Sequence, residues 1–315
     1  MSEATPPTTA LPDKPKSKTG WIVGIGIAVV AIIVAVVLVA VNVSGSASSA
    51  ADKRVEVKIG TTEIAAPYWT VLKKAAAKEG IDITLVGFSD YTQANPALST
   101  KQIDLNLFQH LQFLANYNVN AHDTLTPIGS TLVVPLPLYS DKYKSVDDLP
   151  QGATVAIPND TTNQARALLV LQKAGLLKLK NGGTTLSTPA DIVAGESKVT
   201  VIPVDAQQTA PALKSSDAAI INNNFALTAG IDPTSAIFKD DPSSSAAEPY
   251  INTFVARASD KDNKTYLKIA ELYHTKAVEE SVLAESKNTA VIVKRSNADL
   301  RSILAGLEKT IKAAE

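Results

Sequence analysis

The sequence predicts an α/β protein whose folded part is a two-lobed clamshell. Strand-like and helix-like segments alternate from Val55 onward, which is typical of α/β layers with a largely parallel sheet. Two extended apolar segments, 130–140 and 249–257, bracket the second group of alternating segments. We therefore expect the chain to leave a first lobe, build a second and return. Two crossovers of this kind place a ligand cleft between the lobes.

The first lobe is predicted from hydrophobic periodicity and from Gly80, a natural helix C-cap. Its predicted strands are 55–60, 81–88 and 103–108, and its helices are 66–79, 95–100 and 109–117. In the second lobe we expect strands at 153–157, 199–204, 218–221 and 237–239, and helices at 162–174, 207–214 and 223–229. The C-terminal part is predicted to be helical over 261–275, 276–285 and 298–313. These elements assign 54–134 and 252–315 to lobe 1, and 135–251 to lobe 2.

The N-terminal part has a different composition. Residues 1–20 are rich in Pro, Thr, Lys and Ser and predict a disordered cytoplasmic tail. The run 21–43 holds no charge and is long enough to span a bilayer, so it predicts a transmembrane signal anchor. The lysines before it place the N-terminus in the cytoplasm and the folded part outside, as a single-pass protein of the cell membrane. Residues 44–53 predict a tether, and the small residues at 47–51 leave signal-peptide cleavage as the alternative.

Composition and motifs exclude several classes of function. The chain holds 30 basic and 31 acidic residues, for a net charge of -1, which argues against nucleic-acid binding. It has no cysteine, and its three histidines lack metal-ligand spacing. The folded part carries no phosphate-binding glycine loop and no nucleophile elbow. We therefore expect a binding protein without a metal or cofactor, and no enzyme.

The candidate site residues lie where predicted strands end. Tyr91, Phe108, His110 and Phe113 follow two strands of the first lobe, where an aromatic cluster suits an apolar or thioether side chain. In the second lobe, the helix after strand 153–157 carries Asn163 and Arg166 on its first turns. A helix N-terminus beside an arginine suits a carboxylate. Asn222 and Asn252 supply amides that suit an ammonium group. For each residue taken alone, ordinary packing or surface pairing is the competing interpretation. Together they describe an amino-acid site.

Four motifs give the chain a specific resemblance. They are Val-Gly-Phe-Ser-Asp-Tyr (86–91), Asp-Leu-Asn-Leu-Phe-Gln-His (104–110), the helix-opening segment Ile-Pro-Asn-Asp-Thr-Thr-Asn-Gln-Ala-Arg (157–166) and Pro-Tyr-Ile-Asn (249–252). In this order and spacing they resemble the NlpA/MetQ-type methionine-binding lipoproteins, the substrate-binding components of methionine ABC importers. The resemblance implies a periplasmic-binding-protein-like clamshell that captures L-methionine, or a close derivative, and delivers it to a permease driven by an ATPase.

The resemblance also assigns roles to the candidate residues. It implies a ligand side-chain pocket at Tyr91, Phe108, His110 and Phe113, a carboxylate partner in Arg166, and polar contacts from Asn163, Asn222 and Asn252. The chain departs from the family by lacking the lipobox cysteine, so 21–43 would replace the lipid anchor. It also has Phe at position 113, where the family pattern has Tyr. The alternative function is a membrane-tethered amino-acid sensor or adhesion domain that uses the same clamshell without transport.

Overall fold

The computed structural model describes residues 54–314. Within this range the chain forms two five-stranded sheets, each with its own helices and core. Lobe 1 is the sheet that contains the first described strand, which starts at Val55, together with its helices. Lobe 2 is the other sheet together with its helices. The predicted tail, anchor and tether, residues 1–53, lie outside the described residues. Among residues 54–314, no helix combines the length and the apolar character needed to cross a bilayer.

Lobe 1 contains a sheet of order β2-β1-β3-β11-β4. Its strands are β1 (Val55–Thr61), β2 (Ile81–Gly87), β3 (Leu105–Asn106), β4 (Thr126–Ser130) and β11 (Thr253–Ala256). Its helices are α1 (Pro67–Lys78), α2 (Tyr91–Ser99), α3 (Leu111–Ala121), α7 (Lys264–Tyr273), α8 (Lys276–Glu285) and α9 (Asn297–Lys312). A short antiparallel pair, β5 (Leu132–Val133) and β12 (Val291–Ile292), adjoins it.

Both faces of the lobe 1 sheet are covered, as the alternation of side chains along a strand requires. Phe254 packs into the cluster that contains Trp69 and Tyr273, from helices α1 and α7. Its neighbour Val255 packs into the cluster that contains Leu304, on helix α9. Because consecutive residues of β11 point to opposite faces, this one strand joins the two halves of the lobe 1 core.

Lobe 2 contains a sheet of order β10-β6-β9-β7-β8. Its strands are β6 (Pro137–Tyr139), β7 (Ala153–Pro158), β8 (Val199–Val204), β9 (Ala218–Ile220) and β10 (Phe238–Lys239). Its helices are α4 (Thr161–Lys173), α5 (Thr209–Ala212) and α6 (Asn223–Thr228). Here too the faces alternate, because Val155 packs in one cluster and Ala156 in the other.

The prediction of largely parallel sheets is wrong. In lobe 1, β1 is parallel to β2 and β3, but β11 is antiparallel to both β3 and β4. In lobe 2, β7 is parallel to β8 and β9, but β6 and β10 are antiparallel additions. The crossover segments cause much of this difference, because they supply β6 and β11. Short-range strand–helix alternation predicts only the parallel part of each sheet.

Several predicted elements have different bounds, and two of these differences bear on the site. Helix α2 begins at Tyr91, four residues before the predicted start, because Asp90 caps it by accepting a hydrogen bond from the Thr92 amide at 2.8 Å. The predicted strand 103–108 pairs only over Leu105–Asn106. The residues after it are therefore free to turn toward the other lobe. The lobe boundaries at 134/135 and 251/252 remain predictions.

Candidate ligand-binding site

A cavity between the two lobes contains every residue that the sequence singled out. Lobe 1 contributes the aromatic group and His110, and lobe 2 contributes the polar side chains of α4 and α6. The predicted residues that line the cavity are Tyr91, Phe108, His110, Phe113, Asn163, Arg166, Asn222 and Asn252. Residues up to 161 positions apart in the sequence, from Tyr91 to Asn252, therefore face one space.

Three aromatic rings from lobe 1 form one wall of the cavity. The ring centroids of Tyr91 and Phe108 lie 6.0 Å apart, and Phe113 meets both rings edge-on, at 6.0 Å from Tyr91 and 5.7 Å from Phe108. From lobe 2, the ring of Phe225 packs 5.0 Å from that of Tyr91. Ring faces and edges gathered in this way bind aliphatic chains and thioether sulfur well.

His110 joins the aromatic wall to the polar side of the cavity. Its Nδ1 accepts a hydrogen bond from the Phe113 amide at 3.1 Å and so caps helix α3. The ring proton is therefore assigned to Nε2, which lies 3.4 Å from Oδ1 of Asn163. Burial, with a further contribution from the charge of Arg166, lowers the pKa of His110 to about 3. The imidazole is neutral at physiological pH and acts as a hydrogen-bond donor across the cleft.

The start of helix α4 holds Asn163 in one orientation. Asp160 is the N-cap, and its Oδ1 accepts hydrogen bonds from the backbone amide and the side-chain Nδ2 of Asn163, both at 3.0 Å. Because Nδ2 is engaged by Asp160, Oδ1 of Asn163 faces His110 and Asn222. Asn222 donates to that oxygen through Nδ2 at 3.0 Å. Burial raises the pKa of Asp160.

Arg166 lies on the next turn of α4 and is held from two sides. Its guanidinium donates to Oδ2 of Asp240 at 2.9 Å and to the carbonyl of Val134 at 2.8 Å, and it stacks 4.1 Å from the ring centre of Tyr250. The side chain is 4% exposed. No residue of 54–314 accepts a hydrogen bond from Nη1. The cleft-lining guanidinium is thus fixed in place with hydrogen-bonding capacity left for a carboxylate.

Asn222 carries the clearest sign of a missing partner. Its Oδ1 is buried and has no hydrogen-bond partner within the described part of the chain. A buried acceptor without a donor costs about 1–3 kcal/mol, so such atoms usually receive one from a ligand or water. Asn252 lines the same cavity, with its backbone fixed by a 2.8 Å bond from its amide to the Leu132 carbonyl. Both amide side chains therefore line the cavity, and the oxygen of Asn222 is an unused hydrogen-bond acceptor.

The far part of the cavity contains a carboxyl group that the sequence did not single out. Glu63 lines the cavity and accepts a hydrogen bond from the Tyr68 hydroxyl at 3.1 Å. Burial, followed by the nearby charge of Glu285, raises the pKa of Glu63 to about 7. Within residues 54–314, no group of three or more His, Asp or Glu side chains converges as metal ligands would.

Sequence reasoning missed several functional neighbours. Adjacent carboxylates in a loop, such as Asp240–Asp241, are usually solvated surface residues, but here Asp240 accepts a hydrogen bond from Arg166 and fixes it. Tyr250 belongs to the motif Pro-Tyr-Ile-Asn (249–252) and stacks on Arg166. Its place in the same motif as Asn252 was the only sequence signal for this contact. Asn224 and Phe225 follow Asn222 directly, and the run of three asparagines at 222–224 was an available signal.

Comparison with known proteins identifies the family. A sequence model of the NlpA lipoprotein family matches residues 57–294. The chain belongs to the NlpA lipoprotein family. The match spans both lobes and includes all eight predicted site residues.

Named relatives agree with this assignment. The chain is 35% identical to the probable D-methionine-binding lipoprotein MetQ of Haemophilus influenzae, over 77% of this chain and 89% of that protein. It is similar to the substrate-binding protein of a methionine transporter from Streptococcus pneumoniae, with 34% identity, 76% and 95% coverage and a TM-score of 0.71. It is also similar to a nutrient-binding protein from Burkholderia cenocepacia bound to methionine, with 37% identity, 75% and 99% coverage and a TM-score of 0.70.

Proposed function

We propose that this protein is the extracytoplasmic substrate-binding component of an ABC importer and that its ligand is methionine. The observation that carries the proposal is that an aromatic wall, a fixed arginine and an unpaired amide oxygen meet in one interlobe cavity. The names of the relatives, which bind methionine or serve a methionine transporter, support the same ligand. The family resemblance implies the L-enantiomer, whereas the Haemophilus relative is named for D-methionine, so a test of the ligand needs both enantiomers.

The geometry suggests how each part of the ligand is bound. The ligand carboxylate pairs with the free N–H groups of Arg166, and the ammonium group donates to Oδ1 of Asn222 and to Asn252. The thioether chain then lies against the rings of Tyr91, Phe108 and Phe113. Neutral His110 adds no charge beside the zwitterion. Since the contacts come from both lobes, binding stabilises the closed arrangement and commits the loaded form to the importer.

We also propose that residues 21–43 anchor the protein in the membrane, with residues 54–315 outside the cytoplasm. The lipoprotein family uses a lipid for this purpose, and this chain has no cysteine to carry one. Intact-mass measurement of the membrane-derived protein tests the anchor. A mass that includes residues 1–53 is expected, and a mass that begins near residue 51 would instead indicate cleavage.

Thermal unfolding tests the ligand. The protein is first unfolded and refolded under dialysis to remove any co-purified ligand, and then heated with L-methionine, D-methionine and the other amino acids. At a ligand concentration of a hundred times Kd, linkage predicts about 2.7 kcal/mol of stabilisation. If neither enantiomer of methionine stabilises the protein, methionine is not the ligand. Uptake of labelled methionine by cells that lack the protein then tests transport against the sensor alternative.

A further inference from the structure

Helix α6 begins with three consecutive asparagines that contact three different parts of the protein. Asn222 faces the ligand cavity and bonds Asn163. Asn223 donates through Nδ2 to the carbonyl of Pro135 at 3.2 Å, in the crossover between the lobes. Asn224 reaches across the cleft to lobe 1. One short segment therefore contacts the cavity, the crossover and the opposite lobe.

The contacts of Asn224 use both ends of its amide. Its Oδ1 accepts a short hydrogen bond from the hydroxyl of Tyr91, at the start of α2. Its Nδ2 donates to Oγ1 of Thr62, just beyond β1, at 3.3 Å. Both partners belong to lobe 1, while Asn224 belongs to lobe 2. Phe225, the next residue, stacks on the Tyr91 ring with centroids 5.0 Å apart.

A second interlobe contact lies at Lys287, which bonds Asp232 of lobe 2 at 2.6 Å. Lys287 and the next residue, Asn288, both have left-handed backbone conformations, with φ of 48° and 59°. This conformation is uncommon for lysine and costs about 1–2 kcal/mol per residue. Both residues follow the end of α8, where a left-handed turn commonly terminates a helix.

We infer that Asn224 is a closure latch, a positioning residue that sets how long the closed cleft retains its ligand. Its hydrogen bonds join the lobes, and neither of them needs a ligand to form. Opening the cleft must break both hydrogen bonds and separate the rings of Tyr91 and Phe225. The cost of losing these contacts slows ligand release. The latch lies beside the aromatic wall, so the apolar end of the ligand, rather than its charged end, lies next to it. The inference rests on the proposed function only for the identity of the ligand.

The first test compares Asn224→Ala with the wild type by stopped-flow methionine binding. We expect about tenfold faster dissociation, with an association rate changed less than about threefold, since interface changes act mainly on dissociation. Asn120→Ala is the matched control, because Asn120 is exposed on α3 and, among residues 54–314, its side chain bonds only to Asn116 of the same helix. Equal dissociation rates for Asn224→Ala and the wild type would overturn the latch.

A double-mutant cycle separates a latch from a merely structural asparagine. Thr62→Val removes one partner of Asn224 and keeps the side-chain shape. If the Asn224–Thr62 bond holds the cleft closed, Thr62→Val speeds dissociation in the wild type and has no further effect in Asn224→Ala. Additive effects of the two substitutions would show that Asn224 does not act through Thr62, and would overturn this part of the latch.

Distance measurement tests the latch without any ligand. The chain has no cysteine, so Lys74→Cys in lobe 1 and Lys173→Cys in lobe 2 give two exposed sites for spin labels without background labelling. In the ligand-free full chain we expect Asn224→Ala to shift the distance distribution toward an open population. An unchanged distribution would overturn the latch. If the wild type binds no methionine and Asn224→Ala still produces this shift, the proposed ligand is wrong and the latch is supported.

Discussion

Arg166 shows how a single residue can be both structural and functional. Its guanidinium bonds Asp240 and the Val134 carbonyl while Nη1 stays available in the cavity. We predict that Arg166→Lys lowers methionine affinity by about 10- to 100-fold, because an ammonium group cannot reproduce this planar fork. Isothermal titration calorimetry measures the change. The control is Arg295→Lys, at an exposed pair with Glu248, where unchanged affinity is expected. Full affinity in Arg166→Lys would mean that the arginine only supports the fold.

Glu63 gives a pH-dependent prediction. Burial raises its folded-state pKa from 4.5 to about 7, so its contribution to stability is fully present below pH 4.5 and is lost as pH rises through 7. We predict that Glu63→Gln is about 3 kcal/mol more stable than the wild type near pH 8 and nearly equal to it near pH 4.5. Urea unfolding at both pH values checks this. A constant difference between the two proteins would contradict the raised pKa. Glu56→Gln, at an exposed site, should show no such pH dependence.

The eight candidate side chains could be found from the sequence because strand ends and helix starts are local features. Their partners could not. Asp240 is 74 residues away from Arg166 in the sequence. An adjacent pair of aspartates looks the same in the sequence whether it holds an arginine in place or lies in a solvated loop. The missing hydrogen-bond donor at Asn222 Oδ1 is likewise a result of packing, and it can be recognised only in the folded structure.

At the level of elements, the start of α4 combines a cap with a site. Asp160 accepts the Asn163 amide as an N-cap and also holds the Asn163 side chain. We predict that Asp160→Ala lowers the free energy of unfolding by about 1 kcal/mol and also weakens methionine binding. Asp160→Ser is the informative control, since serine can cap the helix but cannot hold the Asn163 amide with two oxygens. It should restore stability but not affinity, and recovery of both would show that Asp160 acts only as a cap.

Two glycines test how closely the elements of lobe 1 pack. A Cβ on Gly129, in β4, would lie 2.6 Å from the Cβ of Ala270 on α7, whereas a Cβ on Gly306 of α9 would meet nothing within 4 Å. We predict that Gly129→Ala destabilises the protein by about 1–3 kcal/mol through overpacking. Gly306→Ala should stabilise it by about 0.5–1 kcal/mol, because alanine favours a helix. Calorimetric unfolding measures the stability of both variants against the wild type. If Gly129→Ala is as stable as the wild type, helix α7 can move away from β4.

Element types could be predicted well where periodicity and caps agree. Strand β8 and helix α8 have their predicted bounds, α4 differs by one residue at each end, and α6 differs by one residue at its C-terminal end. The antiparallel strands could not be predicted, because a crossover segment shows extended character but not the direction in which it enters a sheet. Strand β3 pairs over two residues, too short for a period-2 pattern to define it.

On the scale of the whole molecule, the charge distribution suits a zwitterionic ligand. The net charge is -1, and the guanidinium of Arg166 in the cleft is paired with Asp240. The electrostatic field of the whole protein therefore exerts little attraction on a ligand without net charge. Recognition depends instead on short-range contacts inside the cavity. The contacts proposed to hold the cleft closed are the half-buried amide latch, Asn224, and one exposed ion pair, Lys287–Asp232.

This arrangement predicts a specific response to salt. The methionine association rate should change less than about twofold between about 20 mM and about 500 mM salt, because a zwitterion is not steered by a near-neutral protein. Lys287 and Asp232 have side chains 52% and 43% exposed, so salt screens their attraction. Dissociation should therefore become about two- to threefold faster over the same range.

Stopped-flow kinetics at a series of salt concentrations measures both rates, and Lys287→Gln is the matched variant. In that variant the dissociation rate should already be raised at low salt and should no longer respond to salt, because the ion pair is absent. The Asn224 latch, a bond between uncharged groups, should remain in both proteins. If dissociation from Lys287→Gln kept the salt response of the wild type, the ion pair with Asp232 would not contribute to closure. If association fell steeply with salt, the ligand would carry a net charge and methionine would be the wrong assignment.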